Sequence, residues 1–179
     1  ITPDAQALDV LTDQLAYNPI WFIDTAGASY EDELEPEGES RLNPQEAELT
    51  TRLAERMLAM GLPENDLAVI APYAAQVRRL RSLLKRPGLE IDTVDGFQGR
   101  EKEAVIISLV RSNASGEIGF LADERRMNVA LTRARRLLIV VGDSATIGAH
   151  PFYARMLDYF GSIEYPDSVS AHRTVWEGF

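Results

Sequence analysis

Cysteine is absent from this chain of 179 residues, and lysine and histidine occur only twice each. Without thiols, disulfides and thiolate metal sites are excluded, and the redox compartment stays open. His150 and His172 alone do not furnish a structural metal site. No apolar run approaches the roughly 20 residues of a membrane span. The N-terminus lacks the basic segment and apolar stretch of a secretory signal. The scarcity of lysine has the sharpest consequence. A nucleotide-hydrolysing P-loop needs G-x-x-x-x-G-K-[ST], in which backbone N–H groups cradle phosphates and a lysine reaches the terminal oxygens. Lys85 and Lys102 neither follow a glycine nor precede Ser or Thr, so no P-loop can be built from them. The sequence also begins at Ile1 rather than Met, the start expected of a piece of a longer protein.

What is present is ordinary for a globular domain: 45% hydrophobic and 26% charged residues, over a length that supports one sizeable core. The net charge of −10 argues against a nucleic-acid partner, but its distribution does not. Residues 72–142 carry 13 basic against 8 acidic groups, whereas the remainder carries 5 against 20. Local positive potential, rather than total charge, governs phosphate binding. Solvated helix faces would account for about half of these cations equally well.

Along the chain, helices alternate with short apolar runs. The pattern predicts a helix over 4–17, a strand over 20–24 and a loop over 26–42 holding six acids between Glu31 and Glu39. Asn43-Pro44-Gln45-Glu46 reads as a helix start. Asn43 caps, Pro44 takes the first position and Glu46 reaches back, for a helix running to about Met60 and ending at Gly61. Strands are expected over 67–71, 89–94, 103–110 and 137–141, and helices over 74–85, 123–134 and 151–160. Continuously apolar strands with intervening helices imply an α/β fold: a parallel sheet covered on both faces, three layers deep. Ligands of such sheets gather at the carboxyl ends of strands, and the motif residues are expected there.

Three strings carry chemistry. In Thr93-Val94-Asp95-Gly96-Phe97-Gln98-Gly99-Arg100-Glu101, two glycines permit a close backbone approach to a phosphate. The same glycines also mark a simple tight turn. In Arg125-Arg126-Met127-Asn128-Val129-Ala130-Leu131-Thr132-Arg133-Ala134-Arg135, helical spacing would put Arg126, Val129, Ala130 and Arg133 on one face, with the small Ala130 leaving room for a ligand. Arginine suits phosphoryl transfer because its planar fork stays charged and binds two oxygens. The alternative is a surface helix with its arginines in solvent, a reading that fits Arg136 equally well. In Val69-Ile70-Ala71-Pro72-Tyr73-Ala74-Ala75-Gln76, a strand ends at an aromatic that could stack on a base or on adenine. Packing at a helix start is the competing reading.

In chain order, Val69–Gln76, Thr93–Glu101 and Arg125–Arg135 resemble motifs IV, V and VI of superfamily 1 helicases, in the branch typified by the up-frameshift RNA helicase and the immunoglobulin mu-binding helicase. The resemblance covers about Pro19 to Phe160. It implies a second, RecA-like motor domain over 19–162, preceded by a leading helix or linker over 1–18 and followed by a tail over 163–179. It implies Arg133 as the finger that meets the γ-phosphate, with Arg135 assisting. Gln98, Gly99, Glu101 and Arg126 would lie at the nucleotide, with Gly99 near the γ-phosphate and Glu101 on the ribose. Tyr73, Gln76, Thr93, Asp95, Arg111 and Asn128 would contact nucleic acid or couple the two sites. The implied cofactor is ATP with Mg2+, whose metal ligands lie outside this chain; no metal site is expected within it. The implied partners are single-stranded DNA or RNA and an N-terminal P-loop domain of the same parent, with no membrane. The implied setting is the cytoplasm, and the implied movement is 5′ to 3′. Relatives also use an arginine upstream of this domain, and no counterpart precedes Arg41. The contrasting reading is a non-catalytic interaction module that keeps a helicase-like shell.

Overall fold

The computed structural model describes residues 17–176. The helix expected over 4–17 lies outside these, except for Tyr17. Ten strands and five helices follow in chain order: β1 Ile20–Asp24, β2 Glu33–Leu34, β3 Arg41–Leu42, α1 Pro44–Ala59, β4 Leu67–Ala71, α2 Ala74–Leu83, β5 Glu90–Thr93, β6 Lys102–Ser108, α3 Glu124–Leu131, β7 Ala134–Gly142, α4 Ser144–Ile147, α5 Pro151–Ser162, β8 Glu164–Tyr165, β9 Val169–Ser170 and β10 His172–Thr174. Six strands form one sheet in the order β10-β1-β7-β6-β4-β5, and every pairing within it is parallel. This is the three-layer α/β architecture expected of a RecA-like domain.

Strand alternation splits the core into two apolar layers. On one face Trp21, Ile23, Val69, Ile106 and Ile139 pack with Leu49, Leu53, Val77 and Leu80 of α1 and α2. On the other, Phe22, Ile70, Val105, Ile107 and Val140 pack with Met127, Ala130, Tyr153 and Phe160 of α3 and α5. β7 is fully buried over its second half because it lies between β1 and β6. None of the described helices is long and apolar enough to cross a membrane.

Three expectations need revision. The acidic stretch 26–42 is not a bare loop. It contains the β2–β3 hairpin, and its Asp32, with a side chain only 1% exposed, accepts from Arg111 Nε (3.1 Å), Ser112 N–H (2.8 Å) and Asn113 Nδ2 (3.0 Å). The span beyond residue 162 is not merely a tail. His172–Thr174 completes the sheet, pairing with β1 from Phe22↔His172 to Asp24↔Thr174. Finally, α3 ends at Leu131, and β7 begins at Ala134 in register with Lys102 of β6. The chain therefore turns at Thr132-Arg133, because Ala134 already belongs to the sheet.

Candidate nucleotide and nucleic-acid sites

Because the sheet is parallel, its two edges are chemically distinct, and the motif residues divide between them. At the amino edge, the Gly99–Glu101 segment enters β6 beside the start of β7. Lys102 N–H donates to Arg133 O (3.1 Å), and Arg133 Nη1 reaches Arg100 O (3.4 Å). Arg135 pairs with Glu101 (3.2 Å) and Glu103 (3.4 Å), and hydrogen bonds to these two acids hold its guanidinium above its ordinary range. Gly99 has φ +78°, and no atom lies within 4 Å of where a Cβ would stand. A left-handed backbone with open space beside it suits the approach of a phosphate. This edge holds Gly99, Glu101, Arg133 and Arg135. It is opposite to the carboxyl edge where the sheet rule placed them.

Arg133 differs from its neighbours in having no acidic partner among the described residues. Its Nε donates to Val129 O (2.9 Å), its Nη2 to Thr132 Oγ1 (3.0 Å) and its Nη1 to Arg100 O. Of these neutral acceptors, Val129 O lies near the C-terminal end of α3, where a cation is favoured by the helix dipole, and it is shared with the Thr132 N–H (3.3 Å) and hydroxyl (3.0 Å). The shared helical face expected of Arg126, Ala130 and Arg133 is not formed. Arg133 lies beyond the helix, and Ala130 is fully buried in the core.

At the carboxyl edge, Arg126 pairs with Asp95 through Nε (3.2 Å) and Nη2 (3.1 Å) and lies 5.6 Å from the Phe120 ring centroid. From Arg126 to the helix end at Leu131 is about 7 Å, five residues at about 1.5 Å each, and Arg133 lies beyond that end. The structure thus does not bring Arg126 together with Gly99, Glu101 and Arg133. Gln98 is exposed, as is Asn128 on α3. Gln98 lines a cleft of about 210 Å³ with Val94, Asp95, Asp123, Arg125, Arg126 and Val129.

Tyr73 is 4% exposed, so its ring is not offered to a base in this structure. Its hydroxyl accepts from Arg111 Nη1 (3.2 Å) and Phe120 N–H (3.0 Å), and its ring stacks on Phe120 at 5.0 Å. Gln76 is fully buried. It accepts from Asn43 N–H (2.9 Å) and donates to Asn43 O (3.2 Å) and Ser108 Oγ (3.0 Å). Arg111 is 4% exposed and locked on Asp32, a position suited to coupling rather than to an open phosphate contact. Thr93 closes the turn after β5 by accepting from Gly96 N–H (3.2 Å). Arg100, assigned no role from sequence, staples that turn. It pairs with Glu90 and Asp92, donates to Gly96 O (2.5 Å) and covers the Phe97 ring at 4.9 Å.

The local excess of basic residues is mostly consumed by ion pairs. Arg78, Arg79, Arg81, Arg86, Arg100, Lys102, Arg111, Arg126, Arg135 and Arg136 all face acids, several from outside 72–142. Of the 13 cations there, those with no acidic partner among the described residues are Lys85, Arg125 and Arg133.

Sequence reasoning missed a buried polar network behind the carboxyl edge. Asn43 caps α1 as expected, accepting from Glu46 N–H (3.0 Å). Glu46 does not complete the capping box. Its Oε1 accepts from the Ser108 hydroxyl (2.6 Å) and Val110 N–H (2.7 Å), while Oε2 is buried with no hydrogen-bond partner. Asn43 Nδ2 donates to Val110 O (3.0 Å), so both sides of Val110 are held. Val110 has φ 72°, costly for a β-branched residue, and this turn sends Arg111 inward. No sequence signal marks it, because its partners lie more than 60 residues apart.

A parallel three-layer sheet with its charged motif residues gathered at opposite edges defines a RecA-like domain. Residues 4–145 match the family described as AAA domain. The chain is 46% identical over 169 residues to DNA-binding protein SMUBP-2 of Rattus norvegicus, covering 89% of this chain and 17% of that protein. It is 44% identical over 154 residues to DNA polymerase alpha-associated DNA helicase A of Schizosaccharomyces pombe, covering 82% and 23%. It is 40% identical over 148 residues to an uncharacterized ATP-dependent helicase of Methanocaldococcus jannaschii, covering 82% and 21%. The chain spans about a fifth of the length of these relatives. It belongs to this AAA domain family and, within it, to the up-frameshift-like branch of superfamily 1 helicases.

Proposed function

We propose that this chain is the second motor domain of an ATP-dependent helicase and that its amino edge forms half of an ATP site. The other half would be an N-terminal P-loop domain of the same protein. The observation that carries this reading is Arg133, a cation without an acidic partner beside the open backbone of Gly99. Its guanidinium rests only on neutral acceptors, so a phosphate can recruit it without breaking an ion pair. Gly99 and Glu101 would hold the nucleotide and Arg135 would assist. ATP supplies the phosphoryl group, and the acids that bind its Mg2+ would come from outside this chain. Arg133 would offer two N–H donors to charge that develops on the γ-phosphate during transfer. The carboxyl edge would meet single-stranded DNA or RNA. The motif V turn and α3 join the two edges, so movement at one is felt at the other.

The test is steady-state ATPase kinetics of the full-length protein with saturating single strand. Arg133→Ala is expected to lower kcat by about 10³-fold or more, with KM and strand affinity little changed. Arg133→Lys should rescue poorly, because an ammonium cannot copy the two-pronged contact. A near wild-type kcat for Arg133→Ala would move the finger to Arg135.

A further inference from the structure

The carboxyl edge carries an exposed aromatic ring, Phe120, that stacks on Tyr73 and has the Arg126 guanidinium 5.6 Å from its centroid. Phe120 is 55% exposed, yet its backbone is fixed. Its N–H donates to the buried Tyr73 hydroxyl (3.0 Å), which also receives Arg111 Nη1. Gly119 lies at φ +52°, and a Cβ there would stand 2.3 Å from Arg111 Nη1 and 2.4 Å from Tyr73 Oη. The loop is therefore pressed onto Arg111 and Tyr73, and only glycine allows it. The Tyr73 ring stacks beneath Phe120 with planes 22° apart. An aromatic held out to solvent on so rigid a mount loses little entropy when it meets a flat ligand.

We propose that Phe120, backed by Tyr73, is the point at which this domain stacks a base of a single strand, and that Arg125 takes an adjacent phosphate. The inference rests on the helicase reading above and locates its strand-binding contact. Arg125 is exposed, lines the cleft beside Val94 and Gln98, and has no acidic partner among the described residues. The other arginine of that cleft, Arg126, is paired with Asp95, and the Asp123 carboxylate is occupied in capping α3. An aromatic platform next to a free guanidinium is the combination that binds single strands without sequence preference. A phosphate at Arg125 would sit at the opposite end of α3 from Arg133. One rigid helix would thus touch the strand at its start and lead to the nucleotide at its end.

The experiment is fluorescence anisotropy of the full-length protein with labelled oligothymidylate and oligouridylate over a salt series. Strand-free ATPase is measured in parallel. Phe120→Ala is expected to weaken binding about tenfold, the loss of one stacked base. The slope of log K against log salt should not change, since no charge is removed. Phe120→Trp should bind as well as wild type. Arg125→Ala should make the slope shallower by about one, so that its defect fades at high salt. Strand-free ATPase should be unchanged in all three. Phe120→Ala binding within twofold of wild type overturns the proposal and leaves the helicase reading intact. Loss of binding in Phe120→Trp as well as Phe120→Ala also overturns it, because a larger ring would preserve stacking. A wild-type protein that binds neither oligonucleotide removes the helicase reading and this inference with it.

Discussion

The Glu46 carboxyl is fully buried, with two donors on one oxygen and none on the other. Burial pushes it from its ordinary value of 4.5 up to about 7, against the pull of Ser108 and Val110 N–H, and the charges of Asp143 and Asp32 add to the rise. The folded protein therefore keeps a proton that the unfolded chain has lost between these values. Its contribution to stability is full below about pH 4.5 and declines as pH rises to about 7, by roughly 3 kcal/mol in all. Glu46→Gln cannot ionise, so its stability should not show this decline. Urea midpoints at pH 5 and pH 8 check it, and parallel decline of both proteins would clear Glu46 of the effect. At this scale the sequence was partly legible. Asn43 announced itself as a cap because capping is local. Glu46, at the right spacing for a capping box, went instead to Ser108 and Val110, more than 60 residues away, because the donor it would have met, the buried Asn43 N–H, is taken by Gln76. Arg133 showed the same limit: the string Thr132-Arg133-Ala134-Arg135 singled it out, but its expected place on the helix did not hold, since the pairing of Ala134 with Lys102 ended the helix early.

Among the elements, the turn from β5 to β6 matters most, because it runs from the carboxyl edge back to the amino edge across one face of the sheet. Phe97, 1% exposed, anchors its middle in the layer formed by Phe22, Ile70 and Val105. Arg100 pins its exit to β5, and the Arg100 carbonyl in turn receives Arg133. Phe97→Ala should cost about 3–5 kcal/mol, the range for a buried aromatic that leaves a cavity. Thermal or urea unfolding measures it, and a loss below about 1 kcal/mol would mean that Phe97 does not seat the turn. Strand positions were well read, because apolar runs of β-branched residues report burial on both faces. The β2–β3 hairpin was not, because its pattern is polar and its order comes from Asp32 reaching across to Arg111, Ser112 and Asn113. The basic region also read differently in sequence and in space. Glu35, Glu48 and Glu55 lie outside it along the chain, yet neutralise Arg78, Arg79 and Arg86.

For the whole molecule, the proposed function would leave this domain with only half of an ATP site. The purified 179-residue chain should show no ATP hydrolysis above background, with or without single strand. Turnover abolished by Arg133→Ala in a coupled phosphate-release assay would contradict that. The parallel sheet was legible from its alternating elements, but the order of its strands was not. β10 was missed because three residues, His172–Thr174, carry too short a pattern to distinguish from a turn. Its place beside β1 is secured from elsewhere, by His172 Nε2 on Asp24 (2.8 Å), a carboxylate also bound by Ser144 and held below its ordinary range despite burial. That placement bears on how the protein is made. β1 is synthesised before the other strands of the sheet, but its two partners are β7 and β10, the last of them to be made. At about 5–20 residues per second, Trp21, Phe22 and Ile23 wait several seconds for β7 and longer for β10. During that interval the apolar run Ile20–Ile23 has no ladder to join. A nascent chain stalled before Leu138 would display it to chaperones, and to other copies of itself.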